Sequence, residues 1–234
     1  MAVQFEKLVF LVGGTEATPV IEILSNFAPD TPLEIATNLE ELQQALTPNC
    51  RLITFGSPLI VPKELLDVLN MPAYNIHPGP PEHPGIYPSV FALYTQEEKF
   101  GTTIHEMSPR VDEGPIVSID RFRISKNIHR LALDTQSFLS VLSLCREIGH
   151  DLVTKPRLSP IDEQWANRKH TKKEFNALCK LPDDINHEEF QRRYRAIGEG
   201  PDHALEINLF GHRFVLNNQQ TNEILCAGQS LERN

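Results

Sequence analysis

Short apolar runs alternate with helix-like segments through the first third of the chain. This alternation constrains the fold more than any other feature. Residues 7–12 (KLVFLV) form an apolar run closed by Gly13 and Gly14. An apolar-periodic segment follows at 19–27, then a weaker strand at 32–37, a helix at 39–46 and a strand at 51–55. Residues 62–69 read as another helix, with Pro62 in its first turn and Leu65, Leu66 and Leu69 on one face. Residues 73–77 form the next strand. Strands and helices in this alternation imply βαβ units and an α/β fold with a mainly parallel sheet flanked by helices. Ligands in such sheets bind beyond the carboxyl ends of the strands, which is where Asn75 and His77 fall.

The pattern continues with a short helix at 89–96, strands at 101–107 and 115–124, and one long helix at 128–153 carried by Leu131, Leu133, Phe138, Leu139, Val141, Leu142 and Leu144. Pro156 and Pro160 mark a boundary, giving a larger first domain over 1–154 and a small C-terminal region over 155–234. That region reads as short helices at 172–178 and 185–194, then an apolar strand pair, 204–209 and 212–216, around Phe210 and Gly211. The hairpin offers an edge strand for pairing, so a homodimer is an expectation. The polar run at 219–234 is expected to fray.

A chain of 234 residues with 40% hydrophobic and 23% charged residues is long enough and apolar enough for one sizeable core. No apolar run approaches the roughly 20 residues that span a bilayer. Gln4, Glu6 and Lys7 interrupt the apolar start, which reads as a first buried strand rather than a signal peptide. Cys50, Cys145, Cys179 and Cys226 are scattered without a CxxC pair, as for reduced thiols in a cytoplasm. The formal net charge of −9 argues against a nucleic-acid partner, because phosphate neutralisation supplies most of such affinity. Two basic clusters, Arg168-Lys169-His170 with Lys172-Lys173 and Arg192-Arg193 with Arg195, read as solvated helix faces.

The chemistry concentrates between Tyr74 and Val117, in YNIHPGPPEHPG and FGTTIHEMSPRVDEGPIV. Asn75 and His77 lie two residues apart at a strand end, and Asp112 lies in a turn bounded by Gly114 and Pro115. Carboxamide, imidazole and carboxylate can together take a proton from an amine, hold a developing oxyanion and return the proton to a leaving group. Each has a plainer reading: a turn asparagine, a structural histidine, a turn-forming aspartate. Chemistry alone does not separate Asp112 from the adjacent Glu113. His105 shares a strand face with Thr103 and Met107, either lining the site or bonded to a neighbour within the sheet. Gly13 and Gly14 resemble a phosphate-cradling turn, although neither GxGxxG nor a following Lys-Ser/Thr is present. His77, His83 and His105 fit no zinc spacing, so no metal is expected.

The ordered set of NIHPG, PG, GTTIH–x–M and D–x–GP resembles the signature of the folate-dependent formyltransferases. That family includes glycinamide ribonucleotide, methionyl-tRNA and sugar N-formyltransferases. The resemblance implies a Rossmann-like catalytic domain and transfer of a formyl group from N10-formyltetrahydrofolate to a primary amine. It selects Asp112 over Glu113 and makes Asn75, His77 and Asp112 catalytic. It places His105 near the substrate; Gly13 and Gly14 are further substrate contacts only on the phosphate-turn reading of their own residues. Residues 56–62 resemble the family's folate loop, with Leu59, Ile60 and Val61 against the pterin and Asp112 beside it. GPPEHPGIYP is similar to the loop of members acting on sugar nucleotides, which implies a small-molecule amine acceptor, and nucleotide-linked amino sugars as its class. The C-terminal region resembles the short tails of members that do not act on tRNA, in Trp165, Tyr194-Arg195-Ala196 and the Gly211 hairpin. It is too short for the barrel domain of methionyl-tRNA enzymes, so tRNA is not expected as a partner. The same three groups can activate water, which makes a formyltetrahydrofolate hydrolase the alternative, and a non-catalytic binding protein the second.

Overall fold

The computed structural model describes residues 5–199 and 204–217, so the expected fraying run at 219–234, Cys226 and the first four residues lie outside the described residues. The elements are β1 (Leu8–Val12), α1 (Thr18–Ser25), β2 (Leu33–Ala36), α2 (Leu39–Ala45), β3 (Arg51–Phe55), α3 (Lys63–Leu66), β4 (Tyr74–His77), α4 (Pro88–Tyr94), β5 (Lys99–Glu106), β6 (Ile116–Arg123), α5 (Arg130–Thr154), α6 (Lys172–Cys179), β7 (Lys180–Leu181), α7 (His187–Ile197), β8 (Glu206–Leu209) and β9 (His212–Val215). Strand order is β2-β1-β3-β4-β5-β6. β1 pairs in parallel with β2 and β3, and β3 with β4, whereas β4 and β5 run antiparallel. The sheet is therefore mostly parallel, as the alternation requires, and Rossmann-like.

The period of two along β1 divides the core. Leu8, Phe10 and Val12 face one layer with Val20 and Leu24 of α1 and Val141, Leu144 and Cys145 of α5. Val9 and Leu11 face the other, with Leu42 and Ala45 of α2. Every β1 residue is buried, because a central parallel strand is covered on both faces. Each such aliphatic or aromatic side chain contributes about 1.5–3 kcal/mol. α2 starts where Asn38 Oδ1 accepts from the Glu41 N–H at 2.9 Å, while Glu41 reaches back to the Thr37 N–H at 2.7 Å.

The segment expected as a helix over 62–69 is helical only at Lys63–Leu66. The Asn70 N–H bonds instead to the Pro48 carbonyl at 2.8 Å, which ends the turn and feeds β4. Leu65, Leu66 and Leu69 still pack on the core, so the apolar pattern was a packing signal more than a helix signal. β7, two residues long, pairs in parallel with β8 and extends the expected hairpin to a three-stranded sheet. Two residues are too few to show a period.

By chain contacts the protein forms two units: one of residues up to Pro84 with Gly101–Phe122 and Ser137–Asn167, the other of Gly85–Phe100, Arg123–Gln136 and residues from Arg168 onward. In the first unit Arg51 is fully buried at the start of β3. Its guanidinium donates to the carbonyls of Pro72, Lys155 and Pro156, and its carbon lies 4.3 Å from the Phe5 ring centroid and 4.9 Å from that of Tyr74. Burial lowers its pKa to about 10, so it stays cationic at neutral pH. The Leu158 N–H donates to Tyr74 Oη at 2.9 Å, and Arg157 grips Glu106 at 2.7 and 2.8 Å. Residues 155–158 are thereby fastened to the sheet.

In the second unit the basic cluster on α7 is more engaged than a solvated face. Arg193 donates to the carbonyls of Ala177, Leu178 and Lys180, closing the end of α6, and pairs with Glu189 at 2.6 Å. Arg192 lies 4.6 Å from the Tyr94 ring centroid, and Arg195 donates to the Ile128 carbonyl at 2.8 Å. These guanidiniums spend their donors on the fold, which the charge pattern alone does not reveal.

Candidate active site

Strand register assembles the site. Thr54, Asn75 and His105 are paired neighbours across β3, β4 and β5, and therefore form one row. His77, two residues beyond Asn75, shares its face and pairs with Thr103. Thr54 Oγ1 donates to Asn75 Oδ1 at 2.6 Å. Asn75 Nδ2 and His105 Nε2 are 3.1 Å apart, and His105 Nδ1 lies 2.8 Å from the Glu106 carbonyl. A carbonyl only accepts, so His105 carries a proton on Nδ1.

Asp112 follows β5 in the turn and is buried. Its carboxylate lies between two imidazoles, 3.6 Å from His77 Nδ1 and 3.4 Å from His105 Nε2. Asp112 has φ of 48°, in the left-handed region that aspartate tolerates better than most residues. Gly114 holds the turn against β5: a Cβ there would lie 1.8 Å from the Glu106 carbonyl oxygen. The Glu106 N–H donates to the Pro115 carbonyl at 2.9 Å, and Trp165 Nε1–H to the Gly114 carbonyl at 2.9 Å. Glu113 points elsewhere, with its side chain 38% exposed and paired with Arg110 at 3.4 Å.

His77 is buried, and Nε2 donates to the His83 carbonyl at 3.2 Å. Burial pushes its pKa down; Asp112 opposes the shift and His105 adds to it. Its imidazole is accordingly neutral at pH 7, with Nδ1 free to take a proton toward Asp112. The Trp165 ring meets both histidines edge-on, at 5.6 Å from His77 and 4.9 Å from His105, and limits the room around them.

A pocket of about 90 Å³ opens beside this row, lined by Thr54, Asn75, His105 and Asp112 on its polar side. Leu59, Ile60, Val61, Met107 and Val111 supply its apolar side. Val61 is buried, whereas Ile60 is 63% exposed at the rim. The structure thus brings together Asn75, His77, His105, Asp112 and the 59–61 loop. It does not bring Gly13 and Gly14 to this pocket. Gly13 packs on the Gly56 backbone, where a Cβ would lie 2.1 Å from the carbonyl oxygen, and the Glu16 carboxylate lies over Gly14. A carboxylate there opposes a phosphate. Thr54 and Trp165 had no expected site role; a threonine inside the apolar run LITF was the available signal for the first.

His83, in the proline-rich loop, is pushed down from the ordinary 6.5 to about 4, chiefly by burial. A depressed folded pKa means the unfolded chain binds the extra proton, so stability is full above 6.5 and is lost as pH falls through about 4. The loss should reach roughly 3 kcal/mol over that window. Urea unfolding at pH 7 and pH 4 should show a shallower loss for His83→Gln than for the wild type; equal losses would remove His83 as the source.

Fold and site together define a Rossmann-like α/β protein with Asn75, His77 and His105 on β4 and β5 gathered around the carboxylate of the turn after β5. The model of the family described as formyl transferase matches residues 16–135, just over half of the 234, and the chain belongs to that family. It is 26% identical over 148 residues to methionyl-tRNA formyltransferase of Wolbachia sp. subsp. Drosophila simulans (strain wRi), covering 62% of this chain and 46% of that protein. Against the Orientia tsutsugamushi (strain Boryong) enzyme of the same name it is 30% identical over 98 residues, 42% of this chain and 29% of that one. The chain thus spans less than half the length of the curated relatives it matches. Among solved structures it resembles a sugar N-formyltransferase from Shewanella sp FDAARGOS_354, with TM-score 0.72, 19% identity and coverage of 90% and 96% of the two chains. It also resembles an N-formyltransferase from Helicobacter canadensis, solved with folinic acid and dTDP-3-aminofucose, with TM-score 0.63, 16% identity and coverage of 81% and 80%. No helix of the described residues is long and apolar enough to cross a membrane.

Proposed function

We propose that this protein is an N-formyltransferase moving a formyl group from N10-formyltetrahydrofolate to the primary amine of a small molecule, with nucleotide-linked amino sugars as the acceptor class. The observation that carries this reading is the placement of Asn75, His105 and Asp112 on one wall of a pocket whose other wall is the apolar 59–61 loop. A flat pterin needs apolar cover on its faces and polar groups at its edge, and the lining offers both. When bound, the folate supplies an activated formyl carbon and a nitrogen leaving group. Asn75 Nδ2 is oriented to donate to the formyl oxygen as it gains negative charge. Asp112 and neutral His77 form a pair that takes the proton released by the amine and returns it to the departing nitrogen. Trp165 and the buried turn hold water away from this pair.

Incubation with formyltetrahydrofolate and a panel of amines, read by mass spectrometry, should show the gain of one formyl group on an amino-sugar nucleotide. Free formate without an acceptor product would indicate the hydrolase instead. Efficient formylation of charged initiator tRNA at about 150 mM salt would overturn the acceptor class. In calorimetry, Ile60→Asp should weaken 5-formyltetrahydrofolate binding about tenfold, because a carboxylate would enter the apolar rim. No detectable affinity in the wild type would remove the folate assignment.

A further inference from the structure

We infer that the cavity between α4, α7 and the loop before α5 is a binding site for a small phosphorylated anion, a second site that the formyl-transfer reading does not use. The cavity holds about 580 Å³, and every residue that lines it belongs to the second unit. That volume is in the range of small-molecule sites, and more than a lone phosphate fills. The lining is polar. Leu93 is its apolar member, while Gln96, Asn127 and Gln191 supply carboxamides. Residues 188, 191, 192 and 195 recur every three or four positions, so they share one face of α7. The basic run on α7 is thereby divided: Arg193 turns to the end of α6, and Arg192 and Arg195 line the cavity.

The charges decide what such a cavity takes. Its cations are Lys126 on the loop and Arg192 and Arg195 on α7, in a chain whose formal net charge is −9. Arg195 ties helix to loop, donating from Nε to the Ile128 carbonyl at 2.8 Å and from Nη2 to the Ser125 carbonyl at 3.3 Å. Both acceptors are neutral, so this guanidinium has no anionic partner among the described residues, and Nη1 keeps its donors. Burial lowers its pKa, with no acid offsetting the shift. Lys126, exposed on the loop, likewise has no carboxylate within ion-pair distance among the described residues. Against these stand Glu188 in the lining and Glu189, which holds Arg192 Nε at 2.9 Å. Glu199 lies 3.5 Å from His129 Nδ1 and accepts from the Leu131 N–H at the start of α5. Lys126 and Arg195 therefore outnumber Glu188. A monocarboxylate would answer one of these cations. A phosphate group carries enough charge and enough acceptor oxygens to answer both, the guanidinium preorganised and the ammonium on a flexible stem.

Calorimetry of the full chain with inorganic pyrophosphate tests this. The wild type should bind it saturably, and more weakly as salt rises from about 50 to about 150 mM, because these cations are open to screening. Lys126→Glu should weaken binding about tenfold or more, as when a charged hydrogen bond gives way to a repulsion. Lys126 is exposed, so the substitution leaves the core alone, which a melting curve checks. Glu188→Gln removes the opposing charge and should tighten binding. Lys63→Glu makes the same change of charge on α3, in the first unit, and should leave the affinity as it was. Uridine diphosphate and ribose 5-phosphate, titrated in parallel, distinguish a nucleotide from a sugar phosphate as the source of the anion. The tighter of the two should lose the same factor in Lys126→Glu. A wild type without saturable binding, or equal losses in the Lys126 and Lys63 variants, would overturn the assignment. So would pyrophosphate binding that Lys126→Glu leaves unchanged, which would put the anion elsewhere on the protein. The measurement needs no turnover, so it stands or falls apart from formyl transfer.

Discussion

Asn75→Ala should lower turnover about a hundredfold or more while leaving the thermal melt nearly in place, as expected when an oxyanion donor is removed. Asn75 is half-buried at the pocket, and its truncation leaves the β4 ladder intact. His77→Ala should cost a similar factor, with some loss of stability because that imidazole is buried. Turnover measured beside melting curves separates the two effects. The depressed pKa of His77 adds a sign: the acid limb of the rate profile should lie below the ordinary histidine range near 6.5. Wild-type turnover in either variant would take that residue out of the mechanism.

Asp112→Asn should abolish turnover, whereas Glu113→Gln should keep it within about threefold. Asp112 is 3% exposed and is shared by His77 and His105, so removing its charge deprives both imidazoles of their anionic partner. A carboxamide keeps the shape and cannot take a proton, and general acid–base groups contribute about 10²–10⁴. Glu113 meets solvent and an exposed Arg110, a pairing worth little. Comparable losses in the two variants, or a larger one at Glu113, would show that the neighbouring acid does the work.

Much of this was legible in the sequence because it rests on local rules. Apolar runs such as LVFLV announce a strand covered on both faces, and their alternation with helices announces parallel pairing. The Asn75/His77 spacing announces one face of one strand. The rest depends on long-range register, which no local pattern encodes. That Thr54 and His105 flank Asn75 follows from how three strands align, and Thr54 looked like part of an apolar run. Trp165 reaches the two histidines, and the Gly114 carbonyl beside them, from a distant part of the chain. Gly13 shows the converse: it admits a close backbone approach to Gly56, a packing need that looks the same in sequence as a phosphate cradle.

The clamp on Arg51 sets the shortest length of chain that can hold this site. A chain ending at Thr154 would strip the guanidinium of the carbonyls of Lys155 and Pro156, strand a cation inside the sheet's base and release Tyr74 Oη and Glu106 from their partners. It would also remove the indole against His77 and His105. A buried charge stripped of its partners costs several kcal/mol, a large share of a domain's net stability. The residues up to Asn167, where the first unit ends, are therefore part of what holds this site together.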